Sequence, residues 1–398
     1  MTGFIQSSAE LFLNPQRQDP TSYGADLRAL ISKHSPDLPL TLLAHCPRHA
    51  ETPLHTLTGL ADQLQLDRLF IKEEGPRLGL QSFKALGGAF AVARLLQRHA
   101  AERLGRAIDP SELQSDELRA LAGDLTVACA TDGNHGRSVA AGARLFGFHC
   151  VIYLHQGVSA AREAAIAQFG ARIVRCDGDY DDSVRQATEE AAQNGWTVVS
   201  DTSWPGYEEI PGEVMQGYTV LAKEALDRLE REQSLPTHLF IQGGVGGVAA
   251  ALAGYLIDRL GARAPKIILV EPTSAACLLK SAQQGQLSSV KTAHTIMGML
   301  DCGEPSPLAW KILAPHADAF LRVDDGWAVA ALRTLAQPQG ADSAIVAGES
   351  GAAGLAGLLA ACAQQQWREA LALGSKSRVL LIATESATDP LAYAELVG

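Results

Sequence analysis

Short β-branched and apolar runs alternate along the chain with longer alanine-rich stretches whose apolar residues recur every three or four positions. The first pattern predicts strands at Leu69–Lys72, Thr126–Ala130, Cys150–Leu154, Arg172–Arg175, Thr197–Ser200, His238–Gln242, Lys266–Val270 and Arg378–Ala383. The second predicts helices between them, at Lys84–Gln97, Gly136–Phe146, Ala160–Phe169, Tyr180–Asn194, Glu213–Glu230 and Val248–Leu260. Strands alternating with helices build an α/β fold around a largely parallel sheet. No internal repeat interrupts the alternation.

Length changes this picture first. A single core stops growing near roughly 250–300 residues, so 398 residues, 47% of them hydrophobic, predict two lobes. The stretch 86–203 reads as a smaller α/β lobe inserted into a larger one made of 1–85 and 204–398, with a break at Pro205–Gly206. Ligands in such folds sit outside the carboxyl ends of the strands and in the crevice between lobes, so the glycine-rich turns that follow strands are the first places to examine.

Charge narrows the partners. A net charge of -11 repels phosphodiester backbones and anionic headgroups, which argues against nucleic-acid and membrane partners. No apolar run reaches the ~18 residues of a spanning helix, and the first thirty residues, with Glu10 and Asp19, lack the basic-then-apolar pattern of a signal peptide. Seven cysteines, an odd number with no CxxC pair, fit a reducing cytoplasm, and no metal-ligand spacing is present.

Three segments carry chemistry. In Ser82-Phe83-Lys84-Ala85-Leu86-Gly87-Gly88, a lysine at a helix start would have its ammonium opposed by the helix dipole, as Schiff-base chemistry requires; a solvated helix-start lysine is the plainer reading. Gln242-Gly243-Gly244-Val245-Gly246-Gly247, between a strand and a helix, presents amides to a phosphate. Gly244-x-Gly246-x-x-Ala249 also meets the dinucleotide pattern, with Glu271 ending the next strand as a ribose-binding acid, so the loop alone leaves a nicotinamide cofactor open. The third segment, Ala130-Thr131-Asp132-Gly133-Asn134-His135-Gly136, offers amides to a carboxylate. Here Asp132 reads equally as an N-cap, and His135 as a packing or capping group.

Taken together and in this order, the SFK, GNHG and GGVGG segments resemble the fold-type-II pyridoxal-phosphate enzymes, the group of serine/threonine dehydratases, threonine synthase and tryptophan synthase β. SFKALGG, ATDGNHGRSVA, Asp201–Tyr218 and Thr295–Leu313 are similar to the diaminopropionate ammonia-lyase branch, over about Lys72 to Thr384. That resemblance implies a two-domain parallel-sheet fold with pyridoxal 5'-phosphate in the interdomain cleft and the larger domain as the cofactor-binding one. It implies that Lys84 carries the cofactor, Phe83 lies beside it, Asn134 contacts the ring oxygen, Gly243, Gly244, Val245, Gly246 and Gly247 cradle the phosphate, and Thr384 meets the pyridine nitrogen. Glu349 matches a segment near the cofactor, although an acid between glycines also suits a surface turn. Ser82, Thr131, Asp132, Gly133, His135 and Asp201 would bind the substrate, and Asp132 and Asp201 would join Lys84 as catalytic groups.

The implied reaction is α,β-elimination of 2,3-diaminopropionate, in both enantiomers, to pyruvate and two ammonia. In the family pattern, hydroxyl-eliminating relatives have serine or alanine at the position of Asp132, and two acids favour a cationic β-substituent. Dehydration of serine, threonine or hydroxyaspartate is the alternative on the same fold, and an NAD-dependent oxidoreductase the distant one. The resemblance also implies a homodimer. Gly243 stands where the family pattern has alanine, a change expected to be harmless, and Cys277 and Cys302, both in matching segments, are expected to remain thiols.

Overall fold

A computed structural model describes residues 7–398. These divide into two compact units. The larger comprises, within that range, the residues up to Lys33 together with Glu51–Pro76 and Leu221–Gly398; the smaller comprises His34–Ala50 and Arg77–Val220.

The strands, in chain order, are β1 (Ala9–Leu13), β2 (Leu54–Thr56), β3 (Arg68–Glu73), β4 (Thr126–Ala130), β5 (His149–His155), β6 (Arg172–Cys176), β7 (Thr197–Val198), β8 (His238–Gln242), β9 (Lys266–Pro272), β10 (Ala319–Val323) and β11 (Arg378–Ala383). In the larger unit they form a seven-stranded sheet in the order β1-β10-β9-β8-β11-β3-β2. The five central strands run parallel, and β1 and β2 close the two edges antiparallel. Every residue of β8 is buried, as expected for a parallel strand covered on both faces. Helix Gly247–Leu260 and helix Ala353–Cys362 are apolar nearly all round and equally buried.

The smaller unit holds an all-parallel sheet in the order β6-β5-β4-β7. Helix Tyr180–Asn194 starts at a capping box, in which Asp179 and Asp182 each accept the other's amide, and stops at Gly195 in the left-handed region, φ 69°.

Several expectations are corrected. β1, β2 and β10 are absent from the predicted strands: β2 is three residues long, and the other two are apolar runs that periodicity alone does not assign. The helix predicted at Lys84–Gln97 is a 3₁₀ turn, Phe83–Leu86, followed by a separate helix, Gly88–Leu104. The smaller unit also extends beyond the expected 86–203 to include 34–50, 77–85 and 204–220. The 3₁₀ turn belongs there because it packs on helix Glu209–Arg231, where a Cβ on Gly217 would lie 2.1 Å from the Leu86 carbonyl oxygen and one on Gly87 would lie 2.5 Å from the Tyr218 ring. Only two glycines permit that approach.

Candidate active site

The smaller unit brings side chains together. Lys84 lies on the 3₁₀ turn, one turn ahead of the helix whose dipole is expected to oppose its charge. Its ammonium is hydrogen-bonded to the Asp201 carboxylate, so it is a paired cation rather than a solvated one or one opposed by a bare dipole. The ammonium also lies 5.3 Å from the centroid of the Phe83 ring and 6.0 Å from that of Tyr218, whose rings pack edge to face 4.7 Å apart. Burial would raise the Asp201 carboxyl, but the Lys84 charge, then His135, then the hydrogen bond from Lys84 override it and bring it down to about 2. Burial holds the Tyr218 phenol well above its ordinary range.

Asp201 is positioned by its loop. The Tyr207 hydroxyl donates to the Val198 carbonyl at 2.7 Å and accepts from the Ser200 amide at 3.0 Å, tying the end of β7 to the turn where Trp204 stacks on Tyr207. His135 is buried. Its Nε2 donates to the Val199 carbonyl at 3.0 Å, which leaves Nδ1 as an acceptor 3.9 Å from Asp201, and burial lowers its pKa.

The turn after β4 resolves the two readings of Asp132. Helix Asn134–Phe146 has Gly133 as its N-cap residue, at φ 143°, and the Thr131 hydroxyl accepts the amides of Gly133 and Gly136, each at 3.0 Å. Asp132 therefore caps nothing. Its carboxylate bonds His155 Nε2 at 2.7 Å, with Asp132 only 12% exposed. The Thr131 hydroxyl, expected to face substrate, is occupied within the turn. Asn134 is buried at the start of the helix, and the Ser82 hydroxyl is buried with no protein partner.

In the larger unit the candidate features are mainly backbone. The loop Gly243–Gly247 joins β8 to helix Gly247–Leu260, whose N-cap Gly246 (φ 100°) offers no capping side chain. A Cβ there would meet Leu313 at 3.0 Å and Ala309 at 3.1 Å, so only glycine fits in both conformation and space. Gln242 fixes the loop from below, its amide donating to the carbonyls of Ser350, Gly351 and Ile382. Thr384 follows β11 directly and is buried, and Glu349 is 4% exposed, which overturns the surface-turn reading.

Glu271 is not poised for a ribose. Its two oxygens accept the amides of Leu278 and Leu279, each at 2.8 Å, capping helix Cys277–Gln284. At Gly243, where the family pattern has alanine, a Cβ would lie 2.7 Å from Glu271 Cγ, so the glycine is fitted to this neighbour. Cys277 and Cys302 are both buried, and the Cys277 thiol donates to the Gly244 carbonyl at 3.6 Å.

The family model of pyridoxal-phosphate dependent enzymes matches residues 46–385. The chain belongs to this family. A diaminopropionate ammonia-lyase of Escherichia coli (strain K12) is 41% identical to it over 352 residues, 87% of each chain. The holo crystal structure of an Escherichia coli diaminopropionate ammonia-lyase superposes with a TM-score of 0.89 at 36% identity, covering 99% of this chain and 97% of that one. The Escherichia coli enzyme in complex with D-serine gives the same TM-score and identity, over 98% and 97%.

A pyridoxal-phosphate-dependent enzyme needs an amine to carry the cofactor and an anion cradle for its phosphate, and the residues fit both requirements. The uncapped, fully buried start of helix Gly247–Leu260 carries amides that the protein's own side chains leave to an anion. Ser82, two residues from Lys84, keeps a buried hydroxyl without a protein partner. The sequence missed His155, Tyr207 and Tyr218. His155 ends β5, and β5 pairs with β4 such that Tyr153 lies opposite Ala130, so strand register was the only signal for it. Among the described residues, no cluster suits a metal ion, and no helix is long and apolar enough to cross a membrane.

Proposed function

We propose that this enzyme eliminates ammonia from 2,3-diaminopropionate, in both enantiomers, and that water then converts the three-carbon product to pyruvate with release of a second ammonia. The observation that carries the reading is Asp132. It is an acid in the turn after β4 that caps no helix and is held by His155, where an N-cap would have explained it away. The 41% identity to a diaminopropionate ammonia-lyase supports the same reading.

Lys84 would hold pyridoxal phosphate covalently, the Gly243–Gly247 amides its phosphate, Asn134 its ring oxygen and Thr384 its pyridine nitrogen, with Phe83 and Glu349 lining the site. When bound, the cofactor supplies the electron sink for the carbanion left by loss of the α-proton. Lys84 Nζ accepts the α-proton of one enantiomer, and Asp132, steadied by His155, accepts that of the other. Asp201 stays ionised and holds the Lys84 ammonium or a β-ammonium in turn. A hydroxyl substrate gains nothing from this second role, because the selection is charge against charge. Ser82, Gly133 and His135 complete the surface for the substrate carboxylate, while the Thr131 hydroxyl shapes the turn. A paired charge is worth ~1.5–3 kcal/mol as a charged hydrogen bond, about one to two decades of preference over serine.

Assaying L- and D-diaminopropionate, L-serine, L-threonine and hydroxyaspartate side by side tests the proposal. A higher kcat/KM for any hydroxyl substrate than for either diaminopropionate would overturn it in favour of a dehydratase. Activity on one enantiomer alone would remove the two-acceptor part. A cytoplasmic homodimer, supported by the cysteine pattern and by the family resemblance, is checked by fractionation and light scattering.

A further inference from the structure

The chain entering the Lys84 turn is unusual. Leu78, Gly79 and Gln81 all have left-handed backbone conformations, with φ of 51°, 70° and 62°, and two of the three are not glycine. Such conformations persist only where the surroundings enforce them, and they cluster at functional sites. The enforcing group is on helix Asn134–Phe146. Arg137, 5% exposed, donates from Nη1 to Gln81 Oε1 at 2.7 Å and toward the Leu80 carbonyl at 3.4 Å. Its neighbour Ser138, wholly buried, accepts the Ala89 amide at 2.9 Å from the far side of the turn. Two consecutive residues of one helix thus grip the segment just before Lys84 and the helix just after it. The same helix begins with Asn134 and His135, so one rigid element indexes the lysine turn against the GNHG turn.

We propose that Arg137 is a positioning residue: through Gln81 it holds the left-handed segment that delivers Lys84, and so sets how readily that amine reacts. The proposal rests on the reading of Lys84 as the cofactor lysine. The bonds from Arg137 to Gln81 and Leu80 end on neutral oxygens, so its grip on the segment is directional hydrogen bonding rather than charge pairing. A lysine there can make one of these bonds but lacks the planar fork.

Three variants test it: Arg137→Met, Arg137→Lys and Gln81→Gly, the last of which removes the acceptor while tolerating the left-handed backbone. Apo protein is mixed with pyridoxal phosphate, the Lys84 adduct is trapped with borohydride over time and mapped, and kcat, KM and melting temperature are measured on the same samples. In Arg137→Met, trapping at Lys84 should slow about tenfold or more and kcat should fall by about 10²-fold, as expected for a displaced reacting group, with KM little changed. Arg137→Lys should recover part of both. The Arg137→Met/Gln81→Gly double variant should be no worse than the poorer single one, because both break the same link. Trapping and kcat within about twofold of the parent in Arg137→Met, or losses that multiply in the double variant, would overturn the proposal. If Arg137→Met does not fold, Gln81→Gly and Arg137→Lys decide the matter through the same readouts: both within about twofold of the parent would overturn the proposal. Trapping of the parent protein on a lysine other than Lys84 would instead sink the functional reading.

Discussion

Two buried carboxyls, one in each unit, ionise in opposite directions. Asp201 in the smaller unit is brought down to about 2 by the Lys84 ammonium beside it, so it is charged at every working pH. Glu271 in the larger unit, against Gly243, is pushed up to about 8 by burial, which outweighs the two amides it accepts. Under the proposed function, the charged acid of the smaller unit would hold first the lysine ammonium and then a substrate ammonium. In the larger unit burial favours the neutral form of the acid, which lessens the negative charge competing for the Gly243–Gly247 amides. The proposed function would thus gather proton-handling side chains in one unit and set an electrically quiet phosphate cradle in the other.

The first way to break this contrast is to remove the cation. Lys84→Ala should abolish turnover by more than the ~10²–10⁴-fold of a single proton-transfer group, and borohydride should leave no pyridoxyl group on the protein, as peptide mapping would show. Asp132→Asn comes next: turnover on one enantiomer should fall by ~10²–10⁴-fold. Its melting temperature should hardly move, because Thr131 and Gly133 make the cap. A melting loss of the ~1 kcal/mol typical of a lost N-cap, with unchanged turnover, would return Asp132 to a structural role.

The acid in the larger unit is tested by pH. Between its ordinary value of 4.5 and about 8, Glu271 binds more proton in the folded than in the unfolded protein, so its contribution to stability falls as pH rises through that window and levels off above it. Denaturant midpoints measured from pH 5 to 9 should show this slope, at most ~1.4 kcal/mol per pH unit, and it should vanish in Glu271→Gln. The smallest change is Gly243→Ala. Its Cβ would press on Glu271 Cγ and cost ~1–3 kcal/mol of overpacking, read as a lower melting temperature together with weaker pyridoxal phosphate binding.

What was legible in the sequence divides along the same line. The glycine loop and the lysine turn announce themselves locally, because an uncapped glycine-rich helix start and an SFK turn are contiguous in the chain. The partners that decide ionisation and geometry are not contiguous. His155 meets Asp132 through strand register, Arg137 reaches back 56 residues to Gln81, and Glu271 finds its amides only once helix Cys277–Gln284 is in place. Asp132 therefore looks like a cap and Glu271 like a ribose ligand until tertiary contacts assign each a different partner. The parallel central strands β3, β8, β9 and β11 were legible as short apolar runs; the central strand β10 and the antiparallel edge strands β1 and β2 were not.

The strand order also bears on the birth of the protein at the ribosome. In the seven-stranded sheet β3 lies between β2 and β11, so its parallel neighbour is the last strand to be made. At translation rates of roughly 5–20 residues per second, the ~300 residues that separate them leave one edge of β3 unpaired for roughly 15–60 s. An apolar strand with an open edge is a template for the wrong partner. All four strands of the smaller unit's sheet, by contrast, lie between Thr126 and Val198, and that unit ends at Val220. It can close while the larger one still waits for its final strand, and nascent chains stalled before Arg378 should need chaperone protection that chains stalled after Ala383 do not.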